Sequence, residues 1–236
     1  MERIKICGVG VDNLTREEAV ERSLEASGEA CVVFTPNAVT LDACRRDTRS
    51  AELLNRASLS LPDGAGVLLA ARRNGTPLRE RIAGIDYAEA LMARVARDGL
   101  RVFLLGGKDG VAARAAENLR TRYPNLCICG TAWGYFDRAG EENREIITRI
   151  HSSRADILFV CLGFPLQEEW VLNNLGALSG LRVIAGLGGS LDVWAGSIRR
   201  APAPIAKIGL EWAWRMAREP RRLRQLPALV RCAFWR

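Results

Sequence analysis

Val102-Phe103-Leu104-Leu105-Gly106-Gly107-Lys108-Asp109-Gly110-Val111 reads as a short buried strand that runs into a glycine turn, and a helix over Val111–Arg122 follows. The same unit recurs downstream. Strand Leu126–Cys129, loop Gly130–Asp137 and helix Glu141–Ser152 are succeeded by strand Ile157–Leu162, loop Gly163–Leu166, helix Gln167–Leu175, strand Val183–Ala185 and loop Gly186–Ser190. Apolar runs of strand length alternating with helical periodicity predict an α/β fold, a mostly parallel sheet with helices on both faces. Neither an internal repeat nor a low-complexity run interrupts the pattern.

Upstream the rhythm is less regular. Ile4–Val9 reads as one short strand, Thr15-x-x-Glu18 as a capping box opening a helix that ends near Gly28, and Cys31–Phe34 as a buried strand. Helices are expected over Ala38–Arg46, Ser50–Arg56, Val67–Arg73 and Asp86–Arg97, a strand over Leu59–Leu61, and a polar connection with Arg79 and Arg81 over Thr76–Gly84. Two strand ends carry polar groups: Thr35-Pro36-Asn37, and Ser60-Leu61-Pro62-Asp63-Gly64-Ala65-Gly66. In parallel sheets ligands sit outside the carboxyl ends of the strands. Asp63 therefore reads either as a helix N-cap or as a reactive carboxylate. The only histidine, His151, falls in a polar segment at the end of a surface helix, so a general base in this chain is expected to be a carboxylate.

Composition narrows the classes. At 236 residues and 48% hydrophobic the chain can bury one sizeable core. Seven cysteines, an odd number, with no secretory signal ahead of Glu2, Arg3 and Lys5, predict reduced thiols in a cytosolic protein. Cys127-x-Cys129 has the wrong spacing for a zinc pair and is expected to be buried in a strand. No apolar run approaches the ~20 residues of a membrane span. The net charge of +7 is concentrated at the end: residues 199–236 carry +8, with three of the six tryptophans.

Gly106–Gly110 could cradle a phosphate at a helix N-terminus. It lacks the G-x-G-x-x-G order of a dinucleotide site, and Gly8-Val9-Gly10 is followed by Asn13 where the third glycine is required, which argues against a NAD-dependent enzyme. Tyr135, Asp137, Gln167, Glu168 and Asp192 enrich the later loops; a ring and a carboxylate there would suit a nucleotide, or Tyr135 packs and Asp192 caps a helix. No Asp-x-Asp pair is present to hold a divalent ion on a diphosphate, so arginines would neutralise a leaving phosphate. Ile205, Ile208, Trp212 and Met216 form one apolar helical stripe, and Leu223, Leu226, Val230 and Phe234 a second, with arginines on the other faces. Such a segment fits an anionic bilayer surface, packing against the core, or nucleic acid; tryptophans among leucines favour lipid.

Taken together, Thr35-Pro36-Asn37, Pro62-Asp63-Gly64-x-Gly66, Glu80-Arg81-x-x-Gly84-x-Asp86, Leu104-Leu105-Gly106, Gly134-Tyr135-Phe136, Gly163-x-Pro165-x-Gln167-Glu168-x-Trp170, Gly186-x-Gly188-Gly189-Ser190-x-Asp192, Arg200-Ala201-Pro202, Gly209-Leu210-Glu211-Trp212 and Glu219-Pro220 resemble the WecG/TagA/CpsF family of bacterial glycosyltransferases over nearly the whole chain. The resemblance implies a Rossmann-like core (1–198) with a basic C-terminal appendage (199–236). It also implies inverting, metal-independent transfer of N-acetylmannosamine from its UDP donor to N-acetylglucosamine on undecaprenyl diphosphate, toward teichoic acid or related surface polysaccharides. Asp63 matches the family's general base, Thr35 and Asn37 the sugar-side pocket, Arg81 and Gln167 further active-site groups, and Tyr135 and Asp192 the nucleotide side, with Gly106 at the phosphate turn. Arg215 and Arg222 match two arginines that close over the donor diphosphate; Gln225 stands in the third such place, beside Arg224, and Leu166 where many relatives carry lysine.

The implied partners are a UDP-sugar, a polyprenyl-diphosphate-linked acceptor and the anionic inner face of the plasma membrane, with no metal or other cofactor and no nucleic acid. Self-association stays open. Two alternatives remain at this point: a related transferase using another UDP-hexose or a uronic-acid donor, and a non-catalytic module binding nucleotides or polyanions.

Overall fold

The computed structural model describes residues 3–25, 28–202, 205, 209–218 and 220–232, with the side chains of residues 220–222 left out. Among these, β1 (Arg3–Ile6) and β2 (Val9–Asp12) precede α1 (Arg16–Glu25), β3 (Cys31–Phe34), α2 (Ala38–Arg46), α3 (Thr48–Asn55), β4 (Leu59–Ser60), α4 (Ala65–Arg73) and α5 (Gly84–Asp98). Then come β5 (Arg101–Gly106), α6 (Val111–Arg122), β6 (Cys127–Ala132), α7 (Glu141–Ser152), β7 (Ile157–Cys161), α8 (Leu166–Asn174), β8 (Val183–Gly186) and α9 (Ser190–Trp194). Two further helices, Glu211–Arg218 and Leu226–Cys232, are joined by a 3-10 segment, Pro220–Gln225.

Six strands form one sheet in the order β4-β3-β8-β7-β5-β6, every neighbouring pair parallel. Strand side chains alternate between two cores because both faces are covered. Val102, Leu104, Ile157 and Phe159 pack on one side with α1, α5, α6 and α9; Phe103, Leu105, Leu158 and Val160 pack on the other with α2, α4, α7 and α8. The α/β class with helices on both faces is thus as expected.

The N-terminal strand differs from expectation. Ile4–Val9 is not one strand but the turn of an antiparallel hairpin, Ile6 opposite Val9. Cys7 and Gly8 both adopt positive φ, 52° and 81°, the conformation a two-residue turn needs to match strand twist. Cysteine is an uncommon residue there, so the turn left no signature. The hairpin has a role at the site: buried Asp12 accepts the Ser60 amide at 2.7 Å and Arg3 Nε at 3.1 Å, fixing the end of β4 just before Asp63.

Cys127 is also not buried: β6 is an edge strand and the thiol at its start is exposed, with Cys129 half-buried. All seven cysteines are free. The Thr15–Glu18 capping box forms, and His151 is exposed near the end of α7. No helix of the described residues is long and apolar enough to cross a membrane. Ile208 and Phe234 of the two apolar stripes lie outside the described residues.

Candidate active site

Three loops are zipped together at the carboxyl ends of β3 and β4. The Leu61 amide donates to Phe34 O at 2.8 Å, the Asp63 amide to Pro36 O at 3.0 Å, and the Ile82 amide to Pro62 O at 2.9 Å. Parallel pairing therefore continues past the strands and presents Asn37, Asp63 and Arg81 to one cavity. The connection carrying Arg81 is itself anchored to α1, through Glu80 Oε2 accepting the Arg16 amide at 2.9 Å and Arg79 pairing with Glu18 at 2.7 Å.

The cavity has a volume of about 150 Å3, and its opposite wall comes from the C-terminal segment: Glu211, Trp212, Arg215, Met216 and Gln225. Asp63 opens to this cavity but is otherwise enclosed. Loss of hydration, reinforced by the Glu211 carboxylate, pushes its pKa up to about 6; Arg215, Arg81 and a hydrogen bond from the Gly84 amide pull the other way without cancelling the rise. A carboxylate titrating there is ionised at neutral pH yet basic enough to accept a proton from a hydroxyl. Asp63 is not the cap of α4, since Gly64 occupies that position.

Glu211 escaped the sequence reading as a site residue. It approaches Arg81 at 3.6 Å and Arg200 at 3.8 Å, and Arg200 also binds Asp86 in the first turn of α5. The only available signal was its place in the Gly209-Leu210-Glu211-Trp212 motif, which assigned it no role.

The remaining expected residues divide. Asn37 lines the cavity, with Oδ1 committed to capping α2 through the Val39 and Thr40 amides at 2.9 and 3.2 Å; its Nδ2 has no partner among the described residues. Thr35 does not line the cavity, and its hydroxyl donates to Gly186 O at 3.2 Å, tying β3 to β8. Gln167 is buried: Oε1 accepts the Gly188 and Gly163 amides at 2.9 and 3.3 Å, and Nε2 donates to Glu168 at 2.9 Å. Both side chains brace the strand ends that carry the site. Arg215 lines the cavity, as does Gln225, whereas Arg224 is exposed and does not line it. The Arg222 side chain lies outside the described residues.

A second group surrounds the ends of β5, β6 and β7. Gly106 has φ 138°, and a Cβ on it would sit 2.3 Å from Cys161 O; only glycine fits. The Gly134 amide donates to Gly107 O at 2.8 Å, laying the loop of Tyr135 over the glycine turn, and Tyr135 is 65% exposed. Asp192 stands in the first turn of α9, and its charge acts on Cys161 at the end of β7. Gly106 and Tyr135 do not line the Asp63 cavity but occupy the same edge of the sheet on the far side of β8, and Asp192, which follows β8 itself, does not line it either. No cluster of three or more His, Cys, Asp or Glu placed to hold a metal ion occurs among the described residues.

The model of the glycosyl transferase WecG/TagA/CpsF family matches residues 4–236. The chain belongs to the WecG/TagA/CpsF family. It is 32% identical over 231 residues, 96% of this chain and 89% of the relative, to an N-acetylglucosaminyldiphosphoundecaprenol N-acetyl-beta-D-mannosaminyltransferase of Staphylococcus aureus strain MRSA252, and equally to the protein of that name in strain MW2. As a WecG/TagA/CpsF protein the chain is a glycosyltransferase, and the cavity at Asp63 is where its fold gathers an enclosed carboxylate and two arginines at the strand ends.

Proposed function

We propose that this chain transfers N-acetylmannosamine from UDP-N-acetylmannosamine to N-acetylglucosamine carried on a polyprenyl diphosphate, with inversion at the anomeric carbon. The observation that carries this reading is the enclosed Asp63 carboxylate with a pKa near 6, faced by Arg81 and Arg215. The name of the Staphylococcus aureus relatives supplies the sugar and the acceptor.

In the proposed step the acceptor hydroxyl oxygen forms a bond to the anomeric carbon from the face opposite UDP, and its proton passes to Asp63. The bond from that carbon to the diphosphate oxygen breaks, and UDP leaves with the electron pair. Arg81 and Arg215 stabilise the charge that develops on the diphosphate, as preorganised donors do, and the transfer needs no metal ion. Asn37 Nδ2 donates to the sugar. The nucleotide lies along the Gly106 turn with Tyr135 and Asp192 beside it. Residues 199–236 act as a closing segment over a core of residues 1–198, and their arginines hold the enzyme on the cytoplasmic face of an anionic membrane, each adding roughly 1 kcal/mol near the surface.

The test is UDP release from UDP-N-acetylmannosamine with a lipid-diphosphate-linked N-acetylglucosamine acceptor, with and without EDTA. Acceptor-dependent release that survives EDTA is the expected result. Release only with a different UDP-sugar would replace the donor, and release abolished by EDTA would overturn the arginine-only account of the leaving group.

A further inference from the structure

An apolar groove of about 720 Å3 opens beside the Asp63 cavity, in the range of sites that enclose ligands. Its walls are Leu68 and Leu69 of α4, facing Trp212 of one C-terminal helix and Leu226, Leu229 and Val230 of the other. Leu69 is 39%, Trp212 40% and Val230 51% exposed, a contiguous apolar surface of the kind that signals an occupant.

The helix Leu226–Cys232 is held on α2 and α4 by close packing rather than resting loosely there. A Cβ at Gly66 would lie 2.7 Å from Cys232 Sγ, and Arg231 binds the buried Asp42 carboxylate at 2.8 and 2.6 Å. The groove is therefore a built feature with a fixed floor.

We infer that this groove seats the first isoprenoid units of the lipid-linked acceptor; the inference rests on the proposed acceptor and names where its lipid goes. Continuity selects this occupant. Ala65, Arg81, Trp212 and Leu229 line both the groove and the Asp63 cavity, so whatever fills the groove leads directly to the base. A second copy of the chain or a partner helix would cover the leucines but has no reason to meet a catalytic cavity. A prenyl diphosphate sugar must do so, because its lipid, its charge and its hydroxyl follow one another along one molecule.

The experiment is calorimetric titration of the full chain with geranylgeranyl diphosphate and, separately, inorganic diphosphate. The prenyl compound binds at least tenfold tighter, and Leu69→Asp removes that preference while leaving the affinity for inorganic diphosphate within twofold. Val230→Asp, on a different helix, repeats the effect, and because both side chains are exposed the unfolding midpoints stay close to that of the parent. Equal affinities for the two compounds overturn the proposal. So does a prenyl affinity unchanged in both variants, including the case in which the variants instead dissolve a dimer seen by sedimentation. Since no sugar moves in this assay, prenyl binding without any turnover of UDP-N-acetylmannosamine would count against the functional reading and leave the groove standing; turnover without prenyl preference would do the reverse.

Discussion

Glu211 Oε2 lies 3.6 Å from Arg81 Nη1 at the cavity that holds Asp63, so the C-terminal segment brings a negative charge to the site proposed to bind the donor diphosphate. The charge has two effects. It holds Arg81 and Arg200 in place, and it raises the pKa of Asp63. Glu211→Gln removes the second effect along with the ion pairs. The acid limb of kcat/KM against pH then moves to lower pH, while kcat falls because Arg81 is no longer oriented. A limb that stays in place would show that Glu211 does not act on the base.

The raised pKa of Asp63 has a stability consequence with a definite sign. The folded state binds this proton more tightly than the unfolded chain, so the contribution is fully present below about pH 4 and is lost as pH rises through about 6. Asp63→Asn is free of that loss. Its stability relative to the parent rises between pH 4 and pH 8 by about 2 kcal/mol, read from urea unfolding at the two values. Glu168, pushed up to about 7 by burial, adds a loss of the same sign to the parent and variant alike.

Gln167 serves two backbone amides that have no other partner among the described residues. Gln167→Ala leaves the Gly163 and Gly188 N–H groups unsatisfied at the ends of β7 and β8, at a cost of about 2–4 kcal/mol. Thermal unfolding measures it. Activity falls with stability, whereas a group that touched substrate would lower kcat at unchanged stability.

The C-terminal helix is attached through Asp42, a buried carboxylate held below the usual carboxylate range chiefly by Arg231. Asp42→Asn weakens that attachment, and only modestly because Arg231 is half-exposed. Trypsin then cleaves the segment between Arg218 and Arg224 several-fold faster. In the parent the attachment is present above about pH 4 and is lost as pH falls below it.

Legibility in the sequence followed the range of the interactions. Each β5-to-β8 strand and its following helix were readable because a period of two giving way to a period of 3.6 is local information, and the glycine turn at Gly106 could be read for the same reason. The hairpin at Cys7-Gly8 was misread because a cysteine holds a positive φ that asparagine or glycine would have advertised. Thr35, Asn37 and Gln167 were visible as polar groups at strand ends. Which of their atoms the backbone consumes depends on Gly186, Gly188 and α2, partners set by strand order rather than by neighbours in the chain. Glu211 was invisible as a site residue for the same reason: its partners Arg81 and Arg200 meet it only after the C-terminal helices fold across the strand ends. Gln225 resolves in the other direction, since its place in the cavity wall depends on the 3-10 segment that precedes the last helix, not on the charge of its neighbour Arg224.

The most direct measurement is single-turnover sugar transfer by Asp63→Asn beside the parent at pH 7.5, with donor affinity determined on the same preparations. The account predicts transfer slower by about 10²–10⁴-fold, the range for loss of a general base, with donor affinity within a few-fold of the parent. Transfer near the parent rate by a folded Asp63→Asn enzyme would contradict it and remove Asp63 as the base.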